Sequence, residues 1–189
     1  DYALRALRGV RHAVRYDIYG PVGDADYWRE CRRLVAELPA HVTVHYHGEI
    51  ANAQVREALA ASDLFFQPTR GENFGHAIFE ALSCRVPVLI SDQTPWRSLL
   101  PADAGWDLPL GDPDAFTRAI DTYAAMTDAK QDALRAGARR MAEQFIQKSD
   151  AVASTRHMLE RALGHGISER AGLNAVVTQS RDAVEGHAR

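Results

Sequence analysis

Apolar and polar positions along the chain follow two different periods. Short apolar runs recur at His12–Gly20, Val42–His47, Asp63–Gln67, Val86–Ser91 and Gly105–Leu110. Each has the length and the bounding turn residues of a buried strand. Between them the period changes to that of a helix. Asp1–Gly9 carries Ala3, Leu4 and Leu7 on one side and Arg5 and Arg8 on the other. Asp24–Leu38 carries Tyr27, Cys31, Leu34, Val35 and Leu38, and Pro39 ends it. Asn52 is placed to cap a helix bearing Val55, Ala58 and Leu59. A further helix begins near His76, and a short one is expected near Arg97.

From Asp112 onward the helical period takes over. Asp112-Pro113-Asp114 supplies a cap, a first-turn proline and an acid matched to the helix dipole. Phe116, Ala119, Ile120 and Tyr123 form the stripe that follows. A second helix aligns Leu134, Ala138, Met141 and Phe145, and a third, from Ser149, carries Val152, Leu159 and Leu163. From Gly164 to Arg189 the period fades, which predicts a tail that is either mobile or packed on a partner.

Strands alternating with helices predict an α/β domain, a doubly wound, Rossmann-like parallel sheet over residues 1–163. In such sheets ligands bind beyond the carboxyl ends of the strands. The loops after Gly20, after Gly48 and at Glu72–Gly75 are therefore expected to converge on one crevice. Gly20 and Gly48 read equally well as plain turn glycines.

Composition narrows the picture. The 189 residues suffice for one sizeable core, and 46% hydrophobic with 25% charged content is ordinary for a globular domain. A net charge of -3 gives no basic field for nucleic acid. No apolar run reaches the ~20 residues of a membrane span, and no signal peptide opens the chain, so a cytoplasmic location is expected. The chain opens on Asp1, already inside a helical pattern, which predicts that it continues upstream. Cys31 and Cys84 read as reduced thiols. His45 and His47 share a strand face, but no accompanying spacing points to a metal site.

The chemistry concentrates between Gln67 and Val88. Asp63–Gln67 leads into a loop with Pro68, Gly71, Glu72, Asn73, Phe74 and Gly75, then a helix from His76, then Val86-Pro87-Val88. Gly75 allows close backbone approach to a ligand. The helix start aims free N–H groups and a positive dipole end at the loop. Glu72 lies in the loop, Glu80 lies in the helix, and His76 shares a face with Glu80. Phe79 and Leu82 take the opposite face. Amides suit phosphate and carboxylates suit hydroxyls, a pairing that fits a sugar nucleotide.

Glu72, seven intervening residues and Glu80, with Asn73-Phe74-Gly75 inside and Glu80-Ala81-Leu82 and Val86-Pro87-Val88 following, resemble the Glu-x7-Glu motif of retaining GT-B glycosyltransferases (family 4). Arg85 departs from the family's usual glycine at that place, which puts the end of the helix in question. The resemblance implies the donor-binding half of such an enzyme. Glu72 would meet hydroxyls of the donor sugar near the reacting carbon. Backbone at Asn73, Phe74, Gly75 and His76 would meet sugar and phosphate, Glu80 would meet the ribose, and Gly48 and Glu49 would line the base pocket. It also implies a nucleotide-diphosphate sugar as substrate, no cofactor and no metal, and a glycan or lipid-linked acceptor. The acceptor domain and a central first strand, bearing cations for the diphosphate, would lie upstream of residue 1. Attachment to the inner membrane face would come through that upstream half. Without it the chain alone is expected to be inactive. Arg70 is the nearest cation on the loop, readable as a phosphate ligand or as a solvated side chain.

Three other readings stay open. A nicotinamide dehydrogenase shares the sheet but would need a Gly-x-Gly-x-x-Gly, which is absent. A sugar-nucleotide epimerase of the same fold would be told apart by product analysis. A non-catalytic interaction domain would bind no sugar nucleotide.

Overall fold

The computed structural model describes residues 1–148. The third C-terminal helix expected from Ser149 and the tail at 164–189 lie outside the described residues. In chain order the elements are α1 (Tyr2–Leu7), β1 (Val14–Tyr19), α2 (Ala25–Ala36), β2 (Val42–Gly48), α3 (Asn52–Ala60), β3 (Phe65–Gln67), α4 (His76–Ser83), β4 (Val88–Ser91), β5 (Gly105–Leu108), α5 (Pro113–Ala124) and α6 (Asp128–Lys148). Every strand pairing is parallel. The α/β architecture is as the alternation of periods predicted.

Local chemistry explains the starts of two helices. Asp24 caps α2 by accepting from the Asp26 and Tyr27 amides, at 2.8 and 3.0 Å. Asp112 caps α5 by accepting from Ala115 N–H at 3.1 Å, with Pro113 in the first turn. Two expectations fail. Asn52 is not the cap of α3 but its first helical residue; Ala51 precedes it, and the Gln54 side chain accepts from Ala51 N–H at 3.2 Å. A side chain can satisfy this end from inside the helix as well as from the cap position. No helix forms near Arg97. Instead Ser98 turns left-handed (φ 59°), and Asp107 accepts from the Ser98 and Leu99 amides at 3.2 and 3.0 Å.

Arg85 resolves the question it raised. It takes the left-handed conformation itself (φ 65°). Arg85 N–H donates to Leu82 O at 3.0 Å and Val86 N–H to Ala81 O at 2.9 Å. That is a Schellman ending, so the helix stops where a glycine would have stopped it.

Helices cover both faces of the strands, and each face has its own apolar cluster. One joins Leu4, Leu7, Leu34, Val42, Leu89, Phe116 and Ile120; the other joins Ile78, Leu82, Val88, Ile90, Leu99, Ala138 and Ala142. Alternate residues of β4 therefore serve opposite clusters, and all four are buried. Gly137 lets α6 close onto the β4–β5 connection: a Cβ there would stand 2.0 Å from Asp103 O.

The strands form two sheets, β1-β2 and β3-β4-β5. Val14 N–H bonds His41 O and Gly20 N–H bonds Gly48 O, both toward β2. The peptide groups of Arg15 and Asp17 thus point the other way. Phe65 N–H bonds Pro87 O, toward β4, so the Phe66 peptide group points away from β4. Among the described residues β1 and β3 share no ladder. Side chains span the interval instead. The Tyr16 and Phe66 rings lie 5.9 Å apart, and the Tyr16 hydroxyl comes 3.5 Å from Phe66 O. Burial pushes the Tyr16 hydroxyl up to about 12.

Asp121 ties the α1–β1 connection to α5. It is buried, accepts from Arg11 N–H and Arg11 Nε at 2.9 and 3.0 Å, and has His12 Nδ1 at 2.9 Å. Burial alone would raise its pKa. The bonds from His12 and Arg11 outweigh burial and hold it at about 2, against an ordinary 3.8. A carboxylate with a lowered folded pKa contributes stability that is complete above its unfolded pKa and disappears as pH falls through the folded one. Asp121→Asn is therefore expected to lower the melting temperature at pH 7, by loss of charge-assisted bonds worth about 1.5–3 kcal/mol each. The deficit should shrink between pH 4 and pH 2, which melts across that range would show. In the opposite direction, Arg85→Gly should stabilise the protein by about 1 kcal/mol, because an L-residue in the left-handed region costs about 1–2 kcal/mol. Denaturant unfolding of the two proteins measures it.

Candidate functional site

The site is built where β3 hands over to α4. Gly75 is left-handed (φ 75°), which turns the chain from the loop into the helix. A Cβ on Gly75 would stand 2.9 Å from Ile78 Cδ1 and 3.2 Å from Trp96 Nε1. Space as well as dihedral therefore requires glycine. Gly75 has no side chain to cap α4, so no capping side chain occupies the first amides of the helix.

The turn is braced from behind. Buried Trp96 donates its indole N–H to Phe74 O at 2.7 Å. Phe74 packs edge-on against Phe145 of α6 at 5.4 Å, and Phe145 lies 4.7 Å from Trp96. Phe79 stacks on Trp96 at 6.1 Å. From the sequence alone Trp96 reads as local packing. The signal that could have found it is an indole N–H on a buried ring, which needs an acceptor.

The loop before the turn is tied to the end of β4. Ser91, fully buried, donates its hydroxyl to Thr69 O and accepts from Gln93 N–H at 3.3 Å. Glu72 N–H donates to Gln93 O at 3.3 Å. Thr69 Oγ1 donates to Gly71 O at 2.9 Å. These bonds hold Glu72 half-buried at the loop's centre. Glu80 and His76 are exposed on α4, and the His76 ring lies 4.5 Å from Phe74. Glu72, Asn73, Phe74, Gly75, His76 and Glu80 thus form one local unit, as their spacing predicted.

Gly20 and Gly48 sit at the carboxyl ends of β1 and β2, both with positive φ (131° and 71°), joined by the Gly20 N–H to Gly48 O bond at 2.8 Å. Just past them Tyr19, Ile50, Gln54, Glu57, Ala58 and Ala61 line a mostly apolar cavity of about 240 Å³. Glu49 is exposed next to it and does not line it. The sequence did not single out Ile50 and Tyr19 as lining residues, because an isoleucine after a strand and a tyrosine within one look like core. The Tyr19 ring stacks on His47 at 4.7 Å, and His47 bonds Asp17 at 2.7 Å. His45 and His47 take no part in a metal cluster among the described residues.

Arg70 is exposed and makes no ion pair among the described residues. Its charge nevertheless reaches Tyr27, at the start of α2: burial and Cys31 raise the Tyr27 hydroxyl, and Arg70 opposes them. The loop after β3 and the helix after β1 therefore lie at the same end of the strands. A larger polar cleft, about 470 Å³, is lined by Cys84, Arg85, Asp128, Gln131, Asp132 and Arg135. It lies where β4 begins, at the opposite end from the loops, and is not the candidate site. Both cysteines are free thiols. No helix among the described residues is long and apolar enough to cross a membrane.

Comparison with known proteins gives this geometry a context. The family model described as "Glycosyl transferases group 1" matches residues 1–125, more than half of the chain. Phosphatidyl-myo-inositol mannosyltransferase of Mycolicibacterium smegmatis is 29% identical over 130 residues, 68% of this chain and 31% of the relative. A teichuronic acid biosynthesis glycosyltransferase of Bacillus subtilis is 44% identical over 45 residues, 24% of this chain and 12% of the relative. The chain thus spans a third or less of the curated relatives it matches. Among solved structures, the Anabaena protein HepE with UDP-glucose superposes with a TM-score of 0.67 at 22% identity, covering 83% of this chain and 44% of that one. Sucrose-phosphate synthase of Thermosynechococcus elongatus gives 0.69 at 22%, covering 87% and 42%. The parallel strands with helices on both faces and the family match agree: this chain belongs to the Glycosyl transferases group 1 family, with the fold of the GT-B glycosyltransferases.

Proposed function

We propose that this chain is the donor-binding half of a retaining, family-4-type glycosyltransferase, which moves a sugar from a nucleotide-diphosphate sugar to a glycan or lipid-linked acceptor. The observation that carries the reading is the Glu72–Gly75 loop. A half-buried carboxylate stands beside a left-handed glycine that opens onto uncapped helix amides. Solved structures of the related fold hold UDP and UDP-glucose, which supports a nucleotide-sugar donor here.

In this reading the amides at Gly75 and His76, with Arg70 nearby, hold the diphosphate as it leaves and accumulates charge. The acceptor hydroxyl attacks the sugar carbon from the face the diphosphate leaves. Glu72 positions the sugar hydroxyls and is not a nucleophile. Glu80 takes the ribose hydroxyls. The cavity beside Gly48, Tyr19 and Ile50 takes the base, with Glu49 at its rim. Transfer then needs positioning and electrostatics and no metal ion.

The reading also assigns the interval between β1 and β3. A further parallel strand, N-terminal to Asp1, lies there and brings cations toward the diphosphate. An acceptor-binding domain precedes it. The enzyme works in the cytoplasm, with any membrane attachment through the upstream half.

Calorimetric titration of the full-length protein with UDP, GDP and their sugar conjugates tests this. One nucleotide should bind saturably, and Glu80→Ala should weaken it by at least tenfold, since bonds to a charged group are worth about 1.5–3 kcal/mol. Absence of binding to every nucleotide would overturn the assignment. Gly75→Ala should weaken nucleotide binding more than it lowers stability. The new methyl forces the turn away from φ 75° at a cost of about 1–2 kcal/mol, and moves the amides the diphosphate needs. Titration alongside a melt separates the two effects.

A further inference from the structure

Gln67 is the last residue of β3, paired with Ile90 on β4, so its backbone is fixed by the ladder. Its side chain alternates with Phe66, whose ring packs toward Tyr16 and Phe116. It therefore shares the α4 side of the sheet with Phe65. From there Gln67 Nε2 donates to Glu72 Oε1 at 3.2 Å. This is the only side-chain bond to the Glu72 carboxylate among the described residues, and no ion pair reaches it.

The chemistry fixes which way the amide faces. An ionised carboxylate only accepts, so the NH₂ group of Gln67 must face Glu72 and the carbonyl must face the protein. That leaves Gln67 Oε1 buried with no hydrogen-bond partner among the described residues. An unsatisfied buried acceptor is unfavourable, and an apolar side chain of similar size would avoid it. For stability alone, glutamine is the wrong residue at this position. Such a local inconsistency points to a role in the site.

The other ties of the loop act on its backbone. Ser91, Gln93 and Thr69 hold Thr69 O, Glu72 N–H and Gly71, and none touches the carboxylate. A glutamate side chain left free must give up its rotamer freedom when it binds. With Gln67 in place, one oxygen of Glu72 is already oriented, and the other stays open to accept from hydroxyls.

We propose that Gln67 is a positioning residue: its amide aims the Glu72 carboxylate at the hydroxyls of the donor sugar, at the expense of fold stability. The proposal rests on the reading above that Glu72 faces the sugar. It predicts that Gln67 matters for the sugar and not for the nucleotide.

The test uses the full-length protein with UDP, UDP-glucose, GDP and GDP-mannose, read by calorimetry beside thermal melts. Gln67→Leu should melt at or above the wild-type temperature and bind the nucleoside diphosphate unchanged. Its affinity for the matching sugar conjugate should fall about tenfold. Gln67→Glu should lose the sugar contribution at pH 7.5, where two facing carboxylates repel. A Gln67→Leu protein that melts several degrees lower, with its sugar-to-nucleotide affinity ratio intact, would show a framework residue and overturn the proposal. An unchanged ratio in Glu72→Gln would instead remove the reading on which it rests, and the proposal with it.

Discussion

The hydrogen bond from the Trp96 indole to Phe74 O is the constraint on which the site depends. It fixes the carbonyl just before Gly75, whose left-handed φ turns the chain into α4. The uncapped start of α4 goes with that turn. Trp96 is itself set by the aromatic group it shares with Phe79 and Phe145. The polar geometry of the loop is thus held by an apolar cluster beneath it. A close-packed aromatic cluster has few alternative arrangements, which makes it a stiff support for a site that must meet a ligand with little rearrangement.

A second constraint works from the strand side. Ser91 and Gln93 at the end of β4 hold the backbone of the loop, while Gln67 at the end of β3 reaches the carboxylate itself. Adjacent strands therefore share the work of presenting Glu72. The sheet contributes rigidity and the loop contributes chemistry, the usual division in parallel α/β proteins, where ligands meet the carboxyl ends of strands. Among the described residues the strands fall into two sheets, β1-β2 and β3-β4-β5. Side chains such as Tyr16 and Phe66 cross the interval where peptide groups do not.

Much of this was legible in the residues. Short apolar runs marked every strand and the 3.6 period most helices, because burial of a strand or of one helix face leaves that pattern whatever the fold. Asp24 and Asp112 announced their helices through capping chemistry that acts over three residues. The unit from Glu72 to Glu80 was readable because its members lie within one loop and two helical turns. The illegible parts were those decided at a distance. Ser98 and Asp107 replaced an expected helix near Arg97 with a tight turn, through bonds between residues eight and nine apart. Ala51 rather than Asn52 preceded α3, because Gln54 satisfied the helix start from within.

The sequence by itself determined the α/β class, the strand–loop–helix unit and the identity of its carboxylates, since each rests on interactions between near neighbours in the chain. Only the tertiary structure decided how those groups are held. It set Trp96 behind Phe74, 22 residues away, brought Tyr19 and Ile50 to one open surface depression, and aimed Gln67 at Glu72. It also showed Arg85 adopting the left-handed ending that a glycine would take more easily. Periodicity reports which face of an element is buried. Which atom a buried group then meets depends on how separate elements pack, and no local pattern encodes that.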